Sequence, residues 1–207
     1  ARLFGRKAPL QTVLFISDIC NLRCKHCSVY ELKNPHNMTY EQVREHLQYS
    51  YDLGSRFVDF EGGEVTIWKD GDYRINDLID LAKEIGFFSC TITTNAQLPF
   101  AGSKADSIWV SLDGAGSYHE EVRGKGTFAK LEKNIAECGH KHLSVNMVVN
   151  TLNYMAVEDT IEYAKNNPAI EQISINFHTP FEGTEYLALD MDKRAEIIDK
   201  VLEYKKK

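Results

Sequence analysis

Cys20, Cys24 and Cys27 lie within one short loop, in the stretch DICNLRCKHCSVY that runs from Asp18 to Tyr30. Thiols at this spacing are metal-ligand candidates, and two ligand sets fit them. A structural zinc site closes its tetrahedron with four protein ligands, so His36, nine residues after Cys27, would have to complete it. His26 is a poor fourth ligand because it adjoins Cys27, and neighbouring residues rarely bind one metal without strain. A [4Fe–4S] cluster also normally takes four thiolates, and with only three it leaves one iron open to an outside ligand. An electron carrier has little use for such an opening; a reaction centre does.

The remaining composition sets bounds on this chemistry. With 207 residues, 43% apolar and 26% charged, the chain suits one soluble α/β domain with a substantial core. No apolar run approaches the roughly 20 residues of a membrane helix, and no signal-peptide pattern opens the chain. The net charge of −6 argues against a nucleic-acid surface. Lys205-Lys206-Lys207 reads as a solvated helix end. Five cysteines, an odd number with only three clustered, exclude a disulfide framework and point to a reducing compartment, the cytoplasm. Cys90 and Cys138, in apolar and amphipathic surroundings, read as buried small hydrophobes.

Strand and helix patterns alternate along the chain. Strands are expected at Val13–Ser17, Arg56–Phe60, Phe88–Thr93, Ser107–Ser111, Leu143–Val149 and Gln172–Phe177. Helical stripes follow: Val43, Leu47 and Tyr51 behind an N-cap at Thr39, then Leu78 to Ile85 ending at Gly86. Further stripes run from Phe128 to Ala136, Ala156 to Lys165, and Asp192 onward. Six βα units imply a parallel sheet with outer helices, too few to close an eight-stranded barrel. The expected fold is a partial (β/α)6 barrel, with a doubly wound open sheet as the alternative. In either, chemistry belongs at the carboxyl ends of the strands. The cysteine loop, Gly62-Gly63-Glu64, Thr93-Thr94-Asn95, Ser111-Leu112-Asp113-Gly114 and Asn176-Phe177-His178 all fall on that rim.

Cys-x3-Cys-x2-Cys after the first strand, followed by Gly-Gly-Glu after the second, resembles the radical S-adenosylmethionine (radical SAM) superfamily. TTNAQ (93–97), SLDG (111–114) and HEEVRGKGTFAKLEKNI (119–135) resemble segments of its molybdenum-cofactor cyclase and SPASM-type subgroup, in the same order. The likeness covers about residues 10 to 180. Two features depart from it. His26 stands where an aromatic residue is common, and no cysteine follows Cys138 to bind auxiliary clusters. The chain, which opens on Ala1, is therefore expected to be a single core domain over 1–207, with any C-terminal extension outside it.

The resemblance implies a [4Fe–4S] cluster on Cys20, Cys24 and Cys27, with S-adenosylmethionine on the open iron. It further implies that Gly62 and Gly63 admit the methionyl group, that Glu64 accepts its amino group, and that Arg123 pairs with its carboxylate. Ser111 and Asp113 would lie near the sulfonium and ribose, with His26 stacked on adenine and Thr93 and Asn95 as further cofactor contacts. Asn146 and Asn150 are candidates for adenine or substrate, and His178, Glu182 and Glu185 for the barrel mouth. An electron donor such as a flavodoxin or ferredoxin, and an unidentified peptide, small-molecule or lipid-like substrate, complete the implied partners. The non-catalytic alternative is a metal-stabilised α/β binding module held by zinc on the three cysteines and His36.

Overall fold

Alternation along the strands decides which way each side chain faces. In this computed structural model, which describes residues 2–3, 6–27, 29 and 32–205, a short antiparallel pair comes first, β1 (Arg2–Leu3) with β2 (Arg6–Lys7). Six parallel strands follow: β3 (Gln11–Ser17), β4 (Phe57–Gly62), β5 (Ser89–Thr94), β6 (Ser107–Ser111), β7 (Leu143–Val149) and β8 (Gln172–Phe177). Leu14, Ile16, Val58, Phe60, Cys90, Ile92, Ile108 and Val110 turn to one face and are buried. The intervening Gln11, Val13, Phe15, Asp59, Glu61, Thr93, Trp109, Asn146 and Ser174 turn to the other and are exposed or half-buried.

Helices cover only the apolar face. They are α1 (Tyr40–Asp52), α2 (Ile75–Ile85), α3 (Ser117–Arg123), α4 (Thr127–Cys138), α5 (Val157–Asn166) and α6 (Met191–Tyr204). Val43, Leu47, Leu78, Ile79, Leu131 and Ile135 join the strand residues in one core, and Met147, Val149, Val157, Ile161 and Ile197 form a second cluster under α5 and α6. Cys90 and Cys138 are buried in the first, as expected. Thr39 caps α1 with a reciprocal pair: its hydroxyl accepts the Gln42 N–H, and the Gln42 side chain accepts the Thr39 N–H. Gly86, at φ 115°, ends α2 in the left-handed region that favours glycine. Lys205 caps α6, whereas Lys206 and Lys207 lie outside the described residues.

Strand order in the sheet is the order in the chain, β3-β4-β5-β6-β7-β8. A doubly wound sheet reverses direction at a switch point; this one never does, so the fold is the open partial barrel. One expected βα unit departs from the pattern. Residues 95–106 between β5 and β6 contain no helix. Pro99 and Gly102 (φ 77°) interrupt this short crossing, and Asn134 of α4 donates to the Ala96 carbonyl at 2.8 Å to satisfy its backbone.

Phe60 is wholly enclosed between sheet and helices, whereas Tyr49 stands open on α1. Phe60→Ala is expected to cost about 3–5 kcal/mol in urea unfolding, and Tyr49→Ala to stay within about 0.5 kcal/mol. Equal costs would mean that the core is not where the alternation puts it.

Candidate active site

The rim is organised by a close approach of two backbones. At the end of β4 the Gly63 N–H donates to the Ser17 carbonyl at 2.6 Å, and the Glu64 N–H donates to the Ile19 carbonyl at 2.9 Å. A β-carbon on Gly62 would stand 2.2 Å from the Ser17 oxygen, and one on Gly63 would stand 2.2 Å from the Ile19 oxygen. Gly62 also sits at φ 138°, in the region only glycine enters freely. The glycine pair thus clamps the start of the cysteine loop. Farther along, Asp18 ties the loop's return: its N–H donates to the His36 carbonyl at 2.8 Å, and its carboxylate accepts the His36 N–H at 2.9 Å.

Glu64 is buried and locks two strand ends together. Its Oε1 accepts the Thr66 N–H (3.0 Å), the Thr66 hydroxyl (2.6 Å) and the Thr94 hydroxyl (2.7 Å); its Oε2 accepts the Asn95 N–H (2.7 Å). A carboxylate offers about four lone-pair sites, so Oε2 retains one for a ligand. Asn95 carries the linkage onward. Its side-chain amide donates to Asn21 at 2.8 Å and lies 3.7 Å from the Cys20 sulfur.

The three loop thiols are unbridged and border one cavity of about 150 Å3, together with His26, Gly62, Gly63, Glu64, Thr93, Asn95, Ser111 and Arg123. The Leu22 N–H points at the Cys20 sulfur and the Val29 N–H at the Cys27 sulfur, each at 3.5 Å. Arg123 places Nη1 3.8 Å from the Cys24 sulfur. Burial pushes the Cys24 thiol up to about 11 and raises Cys20 also, with Arg123 opposing both shifts. Iron at the sulfurs reverses that balance, because a bound metal deprotonates its thiol ligands. N–H donors near the three sulfurs that border this cavity, with no fourth thiol, fit a cluster that keeps one iron for an outside ligand. Among the described residues, no group of three or more His, Cys, Asp or Glu could hold a single metal ion. His36 is exposed, and the zinc reading gains no support.

Asp113 stands behind the cavity wall rather than on it. It is fully buried, and its Oδ2 accepts the Arg123 Nε–H at 2.6 Å while its Oδ1 accepts the Val148 N–H at 3.0 Å. Burial raises the Asp113 pKa, but Arg123, His26 and the Val148 N–H together outweigh it and hold the carboxyl below its usual value. Asp113 therefore aims Arg123, and Arg123 faces the cavity. His26 lies with its Nε2 3.8 Å from Asp113 Oδ2, its Nδ1 without a partner among the described residues, and its ring edge-on to His178 with centroids 6.4 Å apart.

Other expected residues divide. Asn146 borders a neighbouring hollow. Asn150 is enclosed and folds back on the Leu152 N–H and Val148 carbonyl, away from the cavity. His178 is buried, with its Nε2 3.1 Å from the Thr184 hydroxyl. Glu182 borders an outer hollow with Arg23, Lys25 and Cys27, and Glu185 is exposed. Two wall residues were not anticipated, Thr94 and Glu61. The signal for Glu61 was its place immediately before the glycine pair, on the strand parity opposite the core. Burial and then Asp59 raise its carboxyl above the ordinary range.

The sequence profile of the Radical SAM superfamily matches residues 14–166. The chain belongs to the radical SAM superfamily. A GTP 3′,8-cyclase of Clostridium botulinum is 29% identical over a 195-residue alignment that covers 84% of this chain and 56% of that protein. The chain thus spans little more than half of that curated relative. Among solved structures, Streptococcus suis SuiB bound to S-adenosylmethionine superposes with a TM-score of 0.78 at 22% identity, over 95% of this chain and 48% of SuiB. The anSMEcpe structure with bound AdoMet and the Kp18Cys peptide gives 0.75 at 18% identity, over 95% and 60% of the two chains. Both likenesses support the radical SAM partial barrel. No helix among the described residues is long and apolar enough to cross a membrane.

Two outcomes follow from this geometry. Gly63→Ala forces the Ile19 carbonyl away, so stability is expected to fall by about 1–3 kcal/mol and iron per chain after reconstitution to drop, with far-ultraviolet circular dichroism preserved. Wild-type iron loading would show that the glycine does not hold the loop. The second concerns His119, which is wholly enclosed. Its Nδ1 accepts the Asp113 N–H at 3.2 Å, and burial followed by Arg123 drives its pKa down to about 3. The unfolded chain binds this proton near pH 6.5 and the folded chain does not, so stability present above pH 6.5 is lost as pH falls toward 3. Wild type should lose up to about 1.4 kcal/mol per pH unit more than His119→Asn across that window. Parallel urea profiles would exclude His119 as the source.

Proposed function

We propose that this core belongs to an enzyme in which Cys20, Cys24 and Cys27 hold a [4Fe–4S] cluster that, with S-adenosylmethionine, performs radical chemistry on a substrate. One observation carries the reading: three unbridged thiols, and no fourth, border the cavity walled by Gly62, Gly63, Glu64 and Arg123. When bound, cluster and cofactor supply reductive cleavage of the sulfonium C–S bond and a 5′-deoxyadenosyl radical.

The chain's own groups bind and orient. Glu64 Oε2, with one lone pair left, accepts from the cofactor's amino group. Arg123 has Nε committed to Asp113 and presents its Nη donors to the cofactor's carboxylate. Ser111 offers a hydroxyl to the ribose, Thr93 and Asn95 flank it, and His26 stacks on the adenine. Asp113 acts through Arg123. A donor such as a flavodoxin or ferredoxin, in a reducing cytoplasm, would supply the electron. The relatives offer two kinds of substrate, the nucleotide in the name GTP 3′,8-cyclase and the peptide in the anSMEcpe structure.

Anaerobic reconstitution and dithionite reduction should give a protein that converts S-adenosylmethionine to 5′-deoxyadenosine and methionine. Arg123→Ala would strand Asp113 as a buried charge, so the informative variant is Arg123→Gln with Asp113→Asn. It should keep its iron and bind S-adenosylmethionine about ten- to a hundredfold more weakly. A fully iron-loaded wild type that never forms 5′-deoxyadenosine, even with peptide and nucleotide substrates present, would overturn the proposal.

A further inference from the structure

One pleat earlier along the strands, the open face of the sheet forms a second hollow of about 450 Å3 bordered by Asp59, Glu61, Thr93, Trp109, Asn146 and Ser174. Glu61 and Thr93 also border the cofactor cavity, so the two spaces adjoin at this pair. A reaction partner seated in the second would lie directly beside the first. This adjacency makes the hollow the candidate substrate site, and the inference rests on the radical-enzyme reading above. The hollow's chemistry then narrows the substrate.

Asp59 and Glu61 sit two residues apart on β4, on the same face and about 7 Å apart along the strand. Neither has an ammonium or guanidinium partner among the described residues. Asp59 accepts the Gln11 side-chain amide, and Glu61 accepts the Thr93 hydroxyl at a long 3.4 Å. Among the described residues bordering either space, Arg123 is the one Lys or Arg, and Asp113 already neutralises it. Trp109 is in register with Thr93 on the adjoining strand and is half-buried, so its ring borders the same hollow. Two half-buried carboxylates beside an indole are the complement of a cation: the charges attract it, and the ring face adds a cation–π contact. A triphosphate entering here would meet two negative charges and no free positive one.

We propose that the substrate enters this hollow through a cationic group, an ammonium or guanidinium, held between Asp59 and Glu61 against Trp109. The group fixes the substrate's register, so that the bond to be attacked lies across Glu61 and Thr93 from the cofactor cavity. The relative named for GTP would then differ from this chain in what its barrel floor must recognise.

Anaerobic isothermal titration calorimetry on the iron-loaded full chain tests this. The probes are a capped Gly-Arg-Gly peptide, a capped Gly-Glu-Gly peptide and GTP, each with S-adenosylmethionine present. The arginine peptide is expected to bind at least about tenfold more tightly than either anionic probe, and to weaken as salt is added. Asp59→Asn with Glu61→Gln should erase that preference at unchanged iron content, and Trp109→Leu should weaken the arginine peptide severalfold. Iron-loaded wild type that binds S-adenosylmethionine but prefers GTP, or shows no preference, overturns the substrate class and leaves the enzyme reading intact. A preference that survives the double variant, or no binding of the arginine peptide, does the same. A wild type that neither loads iron nor binds S-adenosylmethionine removes the enzyme reading and this inference together.

Discussion

The candidate site depends on one backbone contact, the approach of Gly62 and Gly63 to the carbonyls of Ser17 and Ile19. A hydrogen bond of 2.6 Å from the Gly63 N–H is possible only because neither residue carries a β-carbon, which would lie 2.2 Å from an oxygen. Side chains cannot relieve such a clash, since both parties are main chain. The contact fixes where β3 hands over to the cysteine loop, and so where Cys20 begins. It also turns Glu64 inward, where its carboxylate gathers donors from Thr66, Thr94 and Asn95. Asn95 then reaches back to Asn21 and Cys20. A closed circuit of short bonds joins three strand ends to the loop.

Charge in the cavity is arranged in two layers. Arg123 borders the space, and Asp113 stands behind it, fully buried and pinned by the Val148 N–H. A buried ion pair adds little net stability, because desolvation offsets the attraction, but it holds the guanidinium in one orientation. Cys20 and Cys24 lie in front, where burial disfavours their anionic form and Arg123 opposes that effect. The guanidinium is thus aimed before any ligand binds.

Six strands in chain order leave the barrel unclosed, and that gap explains the polarity of the inner face. A closed barrel packs its interior with branched apolar layers. Here the inward positions carry Asp59, Glu61, Thr93, Asn146 and Ser174, all of them half-buried. They are solvated from the open side and pay no full burial cost, so the face is free to be chemical instead of structural.

Much of this was legible in the residues. Apolar alternation located the six strands, with Ser107–Ser111, Leu143–Val149 and Gln172–Phe177 at their observed limits. Thr39 and Gly86 marked helix ends through local bonding and local backbone freedom, which need no distant partner. The cysteine spacing and the glycine pair pointed to one rim for the same reason. What stayed hidden was every property set by residues far apart in the chain. The bond from Arg123 to the buried Asp113 carboxylate could not be read from the sequence, nor could the bonding of Asn150 to its own turn. The missing helix after β5 escaped notice because a crossing is defined by what packs over it. Asp59 and Glu61 drew no expectation from the sequence, since their meaning depends on which cavity the register brings to them. Periodicity and capping are short-range and therefore written locally; the facing of polar groups across a sheet is a long-range outcome of register and closure, and it emerges only when the strands are assembled.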